Sequence, residues 1–84
     1  MNIQERPEYK AHSHSIHNVN ELMESEKIGC FYCLRIFSHT KITDFCDGGD
    51  TALCPCCGID SLIGDRSGYP ITKVFLQGMN QIWF

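Results

Sequence analysis

The chain has 84 residues, enough for one small domain, and 43% of them are apolar, which favours a folded chain over a disordered one. Seven basic against ten acidic residues give a formal charge of −3. No cluster of lysine and arginine exists for binding phosphate, so the charge disfavours nucleic acid as a partner. The apolar runs are short, and we expect no segment to span a membrane.

The N-terminal segment, residues 1–17, is polar and predicts an extended or loosely docked arm. It lacks the apolar stretch of a secretory signal, so we expect a cytoplasmic location. Asn18 followed by Glu21 resembles a capping box and predicts a short helix from Val19 to about Lys27. Gly29 is then placed to end that helix.

Two cysteine pairs dominate the middle of the chain. Cys30 and Cys33 are followed, after twenty residues, by Cys54 and Cys57, which gives the pattern C-x2-C-x20-C-x2-C. In a reducing compartment this spacing is typical of a four-cysteine zinc site, in which each pair forms a knuckle that aims two thiolates at one ion. Gly58 suits the left-handed position that such a turn often needs. We therefore expect Zn²⁺ bound by these four cysteines.

Two cysteines remain outside this pattern. Cys46 is expected to be a small core residue, and Cys56 to point away from the metal. An exchange of ligands, with Cys56 in place of Cys57 or with Cys46 in the shell, is the alternative. A redox role for Cys30 and Cys33 is disfavoured because no βαβ pattern precedes them.

The segment after the first pair predicts alternating short elements. Residues 34–37 alternate like a strand, and Ser38 resembles the cap of a two-turn helix over 39–46. Residues 51–54 predict a strand that enters the second knuckle, and 59–64 are ambiguous between strand and turn. The residues of the predicted helix that would face inward are Ile42, Phe45 and Cys46.

The C-terminal segment predicts an amphipathic helix that begins at a Thr72 cap. Gly78 weakens this helix by about 1 kcal/mol, which packing must offset. The simplest interpretation of its apolar residues is that they belong to the core. The alternative is that they form a binding surface for a protein partner. They recur at helical spacing at Phe75, Leu76, Met79, Ile82 and Trp83.

The phrases "GCFYCLRIF", "TALCPCCGIDSLIG" and "PIT…FL…M…WF" resemble a family of short bacterial proteins described only as uncharacterised cytoplasmic proteins. The resemblance covers the chain from about His14 onward and implies a zinc-bearing domain, a zinc ribbon or treble-clef-like fold, without an activity. One departure is Cys56, since the family usually has another residue at the middle of the second knuckle.

The spacing of the cysteines is also similar to that in HNH nucleases with a structural zinc. Their catalytic histidines and asparagine are not matched, because Ser38-His39 is the nearest equivalent and no histidine follows it. A small hydrolytic site is a separate alternative, in which histidines of the N-terminal segment meet Asp60 or Asp65. Those histidines are His12, His14 and His17, and the pair of first interest is His14 with Asp60.

Taken together, these features predict a small metal-stabilised α+β fold with two zinc knuckles and short strands. An N-terminal short helix and a C-terminal amphipathic helix flank the knuckles, and residues 18–84 form a single zinc-binding domain. We expect a protein-interaction or regulatory module rather than an enzyme, with a protein partner at the C-terminal aromatic helix. A nucleic-acid-binding zinc ribbon is the first alternative, and the small hydrolase the second.

Overall fold

Short helices and short antiparallel strands alternate along the chain in a computed structural model, which describes residues 2–84. The helices are α1 (Pro7–Lys10), α2 (Val19–Met23) and α3 (Lys73–Trp83), and single turns of 3-10 helix lie between several elements. The strands are β1 (Ile28–Cys30), β2 (Ile36–Phe37), β3 (Phe45–Cys46), β4 (Thr51–Ala52) and β5 (Leu62–Gly64). The α+β class is confirmed.

The central sheet has three antiparallel strands in the order β2-β1-β5. Strand β1 lies in the middle and is buried along its whole length. Gly29 lies in this strand, opposite Ile36 and Ile63, so the prediction that it ends a helix is wrong. A Cβ atom at Gly29 would lie 2.7 Å from Cδ1 of Leu76. The glycine is therefore needed because α3 packs directly on the sheet.

The predicted helix over 39–46 is also wrong. Ser38 does cap a turn, since its hydroxyl accepts the N–H of Thr40, but the turn is a single 3-10 turn at His39–Lys41. The chain then extends into β3, which pairs with β4 in a separate two-stranded sheet. Ile42 is buried as expected, whereas Phe45 is 42% exposed. Pairing with the strand that follows a short turn has overridden a weak local helical pattern.

Helix α2 is shorter than predicted and ends at Met23. Asn18 stands at its N-terminus but does not cap it. Its buried amide instead donates to the carbonyls of His14 and Leu62, each at 3.0 Å, and its oxygen accepts the N–H of Ala52 at 3.2 Å. Asn18 therefore joins its own segment to two distant ones, at Ala52 and Leu62, and the predicted capping box is wrong.

The N-terminal segment is helical rather than extended. Helix α1 continues directly into a 3-10 helix at Ala11–Ser15, in which Ala11 and Ser15 are buried. The indole N–H of Trp83, in α3, donates to the carbonyl of Glu8 at 3.4 Å. This segment therefore packs against α3. The division of the chain at residue 17 into an arm and a domain stays a prediction.

Helix α3 begins as predicted, because the Thr72 hydroxyl accepts the N–H of Phe75 at 3.2 Å. Its apolar face enters one of two buried clusters, which consists of Ala11, Phe31, Ile63, Ile71, Phe75, Leu76 and Met79. The second cluster consists of Leu22, Ile28, Cys30, Ile42, Ala52, Cys54 and Leu62. Across residues 2–84, no helix has both the length and the apolar character that crossing a bilayer requires.

Candidate metal centre

The sulfurs of four cysteines lie close together and form one cluster. The sulfurs of Cys30, Cys33, Cys54 and Cys57 all lie within 4.8 Å of one another. The sulfurs of Cys30 and Cys57 are 3.6 Å apart, and those of Cys33 and Cys54 are 3.7 Å apart. Metal–sulfur bonds of about 2.3 Å place the sulfurs of a tetrahedral site about 3.8 Å apart. The spacing therefore fits a metal ion held by four cysteines.

Two similar turns carry the sulfurs. The carbonyl of Cys30, the last residue of β1, accepts the N–H of Leu34 at 2.8 Å. The carbonyl of Cys54, two residues after β4, accepts the N–H of Gly58 at 2.9 Å. Leu34 and Gly58 both have a positive φ, of 67° and 79°. The left-handed Gly58 was expected from the sequence, whereas no sequence signal marks Leu34, because leucine rarely adopts this conformation.

Hydrogen bonds reach two of the sulfurs from within their own turns. The N–H of Cys33 donates to the sulfur of Cys30 at 3.3 Å, and the N–H of Cys56 donates to that of Cys54 at 3.4 Å. The hydroxyl oxygen of Ser61 lies 2.9 Å from the Cys30 sulfur. No sequence signal marks this contact. The nearness of Ser61 to Cys30 follows from the pairing of β1 with β5.

The environment of the thiols opposes the ionisation of some of them. Burial raises the pKa of Cys54 and of Cys33, and the charge of a Cys30 thiolate raises both further. Burial also acts to raise the pKa of Cys30, but hydrogen bonds from the Cys33 N–H and the Ser61 hydroxyl outweigh it and lower that pKa. A divalent cation among the sulfurs supplies the positive charge that lets all four ionise together.

Cys46 and Cys56 lie outside the four-sulfur group in the described part of the chain. Cys46 is half-buried in β3, and Cys56 is exposed in the second turn. The neighbouring Cys56 raises the pKa of the Arg35 guanidinium. The structure thus gathers the predicted four sulfurs and leaves the other two apart.

Two histidines of the N-terminal segment pair with carboxylates. Nδ1 of His14 lies 3.0 Å and 3.2 Å from the two carboxylate oxygens of Glu21. Nδ1 of His17 lies 3.9 Å from a carboxylate oxygen of Asp50, and both of these side chains are largely exposed. Among residues 2–84, these histidines belong to no group with the geometry of a metal site.

The third histidine has an aromatic environment. The ring of His12 stacks on that of Trp83 with the centroids 3.8 Å apart. Burial lowers the pKa of His12, and the charge of Asp60 partly opposes this shift. The charge of Asp60 therefore affects the pKa of His12. His14, which the sequence analysis paired with Asp60, instead hydrogen-bonds to Glu21. The contacts of His12 are those of a packed side chain.

An open groove of about 520 Å³ runs beside the sulfur cluster. Two basic side chains, Arg35 and Lys73, line it together with apolar residues of β2. The full lining consists of Cys33, Leu34, Arg35, Ile36, Phe37, Cys56 and Lys73. The groove places a concave, partly apolar surface next to the candidate metal.

Comparison with protein-family models, with curated proteins and with solved structures finds no match for this chain. The fold and the sulfur cluster nevertheless define a class, a small α+β domain with a four-cysteine candidate structural metal site. The resemblance to the bacterial family stays a prediction.

Proposed function

We propose that this chain is a small zinc-binding domain whose metal site is structural, and that it serves as a protein-interaction or regulatory module in the cytoplasm. The observation that carries the proposal is the group of four sulfurs within 4.8 Å of one another. Cys30, Cys33, Cys54 and Cys57 would bind Zn²⁺, and the two turns would be zinc knuckles. Thiolate donors in tetrahedral array favour zinc over the hard cations Mg²⁺ and Ca²⁺.

The chemistry of the donor set supports a structural role rather than a catalytic one. A catalytic zinc keeps a coordination position for water or substrate, whereas four protein ligands close the shell. Cys30 and Cys54 are buried, and Cys33 and Cys57 are half-buried. Two other titratable residues already have partners, since His12 stacks on Trp83 and His14 hydrogen-bonds to Glu21. This arrangement favours a site that holds the fold together.

Exposed apolar side chains support a protein partner near the end of α3. The terminal Phe84 is 58% exposed. The ring of Phe84 contacts that of Tyr32, itself 46% exposed, with the centroids 4.8 Å apart. Large exposed aromatic groups are common anchors of protein interfaces. The net charge of −3 disfavours the alternative of a nucleic-acid ligand.

One experiment tests both halves of the proposal. The tagged protein is recovered from its native host, and the metal content and the co-purified proteins are measured on the same sample. We expect about one zinc per chain and a specific protein partner. A folded protein without metal would contradict the zinc site.

Matched variants separate the partner surface from the fold. Phe84→Ala is expected to reduce capture of the partner while the far-UV circular dichroism and the zinc content stay unchanged. Ile16→Ala, which truncates an exposed apolar residue that is not part of α3, serves as the control and should capture the partner normally. Equal capture by both variants would contradict the placement of the partner at the end of α3.

A further inference from the structure

Ser61 is a buried polar residue in contact with the sulfur cluster. It is 1% exposed and immediately precedes β5. Its carbonyl accepts the N–H of Phe31 at 3.0 Å, which fixes its backbone against the residue that follows β1. Its hydroxyl oxygen lies 2.9 Å from the sulfur of Cys30. Strand pairing therefore holds this hydroxyl at one edge of the cluster.

The chemistry of a metal-bound cysteine sets the direction of this hydrogen bond. A neutral thiol can donate or accept, whereas a thiolate bound to a metal has no proton and can only accept. Within residues 2–84, the Cys30 sulfur is the only hydrogen-bond partner of the Ser61 hydroxyl. A buried hydroxyl without a partner is costly, so in the metal-bound protein the Ser61 O–H must donate to Cys30.

Cys30 differs from the other three cysteines in this respect. Its sulfur accepts from the Ser61 hydroxyl as well as from the N–H of Cys33, at 2.9 Å and 3.3 Å. It is also buried, whereas Cys33 and Cys57 are half-buried. Hydrogen bonds to a metal-bound thiolate spread its negative charge and fix the orientation of the ligand.

We propose that Ser61 is a positioning residue for the metal centre, whose hydroxyl orients the Cys30 thiolate and stabilises its charge. This inference rests on the proposed metal site and assigns a residue outside the four ligands to it. Ser61 makes Cys30 the best-anchored of the four ligands. Loss of the hydroxyl leaves a buried thiolate with less stabilisation and weakens its hold on the metal.

The test uses Co²⁺ as a spectroscopic probe, bound to the full chain in place of zinc. Ser61→Ala removes the hydroxyl and retains the backbone bond to Phe31. We expect the affinity for Co²⁺, measured by competition with a chromophoric chelator, to fall by about 10–100-fold. The sulfur-to-cobalt charge-transfer band should move to lower energy, because a thiolate without the hydrogen bond gives up electron density more readily.

Two further variants separate positioning from stability. Ser61→Thr keeps a hydroxyl and should retain the band position of the wild type. Ser25→Ala removes another buried hydroxyl, which is 2% exposed, donates to the Glu21 carbonyl at 2.9 Å and accepts the N–H of Arg66 at 3.2 Å. Ser25→Ala should lower the thermal stability while leaving the charge-transfer band and the Co²⁺ affinity unchanged.

The results distinguish the role of Ser61 from the proposed metal site on which that role rests. A wild-type protein that binds no Co²⁺ overturns the metal site and the role of Ser61 together. A wild type that binds Co²⁺, with the same band and affinity in Ser61→Ala, overturns the role of Ser61 alone. A displaced band in folded Ser61→Thr, or the same displacement in Ser25→Ala, also overturns it, because the shift would then not follow the hydroxyl.

Discussion

Leu34 and Gly58 occupy the same position in the two cysteine turns, and both have a left-handed backbone. For a leucine this conformation costs about 1–2 kcal/mol. The side chain of Leu34 packs against the first core cluster, which offsets part of that cost. The hydrogen bond from its N–H to the Cys30 carbonyl also fixes the conformation. The strained residue completes a turn that brings the chain back beside β1, where the N–H of Cys30 donates to the Arg35 carbonyl at 3.0 Å.

The six cysteines provide the first prediction, at the scale of single residues. Changing any one of the four clustered cysteines to serine should release the metal and unfold much of the chain. The reason is that zinc binding at such sites, on the order of 10 kcal/mol, is coupled to folding. Cys46→Ser and Cys56→Ser should be milder. Near-UV circular dichroism and metal content across all six variants provide the measurement.

Particular outcomes of this series would revise the ligand assignment. If Cys56→Ser releases the metal while Cys57→Ser retains it, Cys56 is a ligand and Cys57 is not. If all four variants at the clustered positions stay folded and lose only an activity, the site is catalytic and the structural role is wrong.

At the scale of elements, the contact between the N-terminal segment and α3 depends on Gly78. A Cβ atom at this position would lie 2.9 Å from Cγ of Glu8, in α1. The rings of Tyr9 and Trp83 also meet across this contact, with the centroids 5.0 Å apart. A glycine inside a helix is unfavourable by about 1 kcal/mol relative to alanine. Close approach of α1 to α3 accounts for its presence.

The second prediction concerns this contact. Gly78→Ala should loosen α1 from α3, so that amide hydrogen exchange across residues 3–15 becomes faster while metal content stays unchanged. In the background of Glu8→Ala the clash is absent, and the same substitution should stabilise the protein by about 1 kcal/mol. Thermal or chemical unfolding of the four proteins gives the comparison. A destabilisation of the same size in both backgrounds would contradict the proposed clash.

At the scale of the whole molecule, the two buried clusters depend on the metal to different degrees. The second cluster contains Cys30 and Cys54, and Cys33 and Cys57 pack against it. The first cluster is built from α3, the sheet and the N-terminal segment, with Trp83 packed at its edge. A domain of this size rarely stabilises itself by apolar burial alone. Metal bound by the four sulfurs would join the two turns and thereby support the second cluster.

The third prediction is the response to a strong chelator. Removal of the metal should collapse the near-UV circular dichroism, and zinc added back under reducing conditions should restore it. The same chelator already saturated with zinc is the control and should have no effect. The fluorescence of Trp83 follows the first cluster during the same titration. Full retention of the tertiary signal after the metal is removed would show that the fold does not require it.

Features that depend on neighbouring residues could be predicted from the sequence. The spacing of the cysteines identified the four sulfurs that the structure brings together. The Thr72 cap and the apolar repeat identified α3, because a helix is specified by residues within a few turns of one another. The coarse α+β class followed from the same local patterns.

Features that depend on residues far apart along the chain could not be predicted in this way. Gly29 lies in a strand because β1 pairs with β5, and the side chain of Leu76 in α3 packs over it. Asn18 bonds to Leu62 and Ala52, and Ser61 to Cys30, across 44, 34 and 31 residues of chain. Such contacts leave no periodic signal in the sequence, since each depends on how separate elements are placed when they bury their apolar faces together.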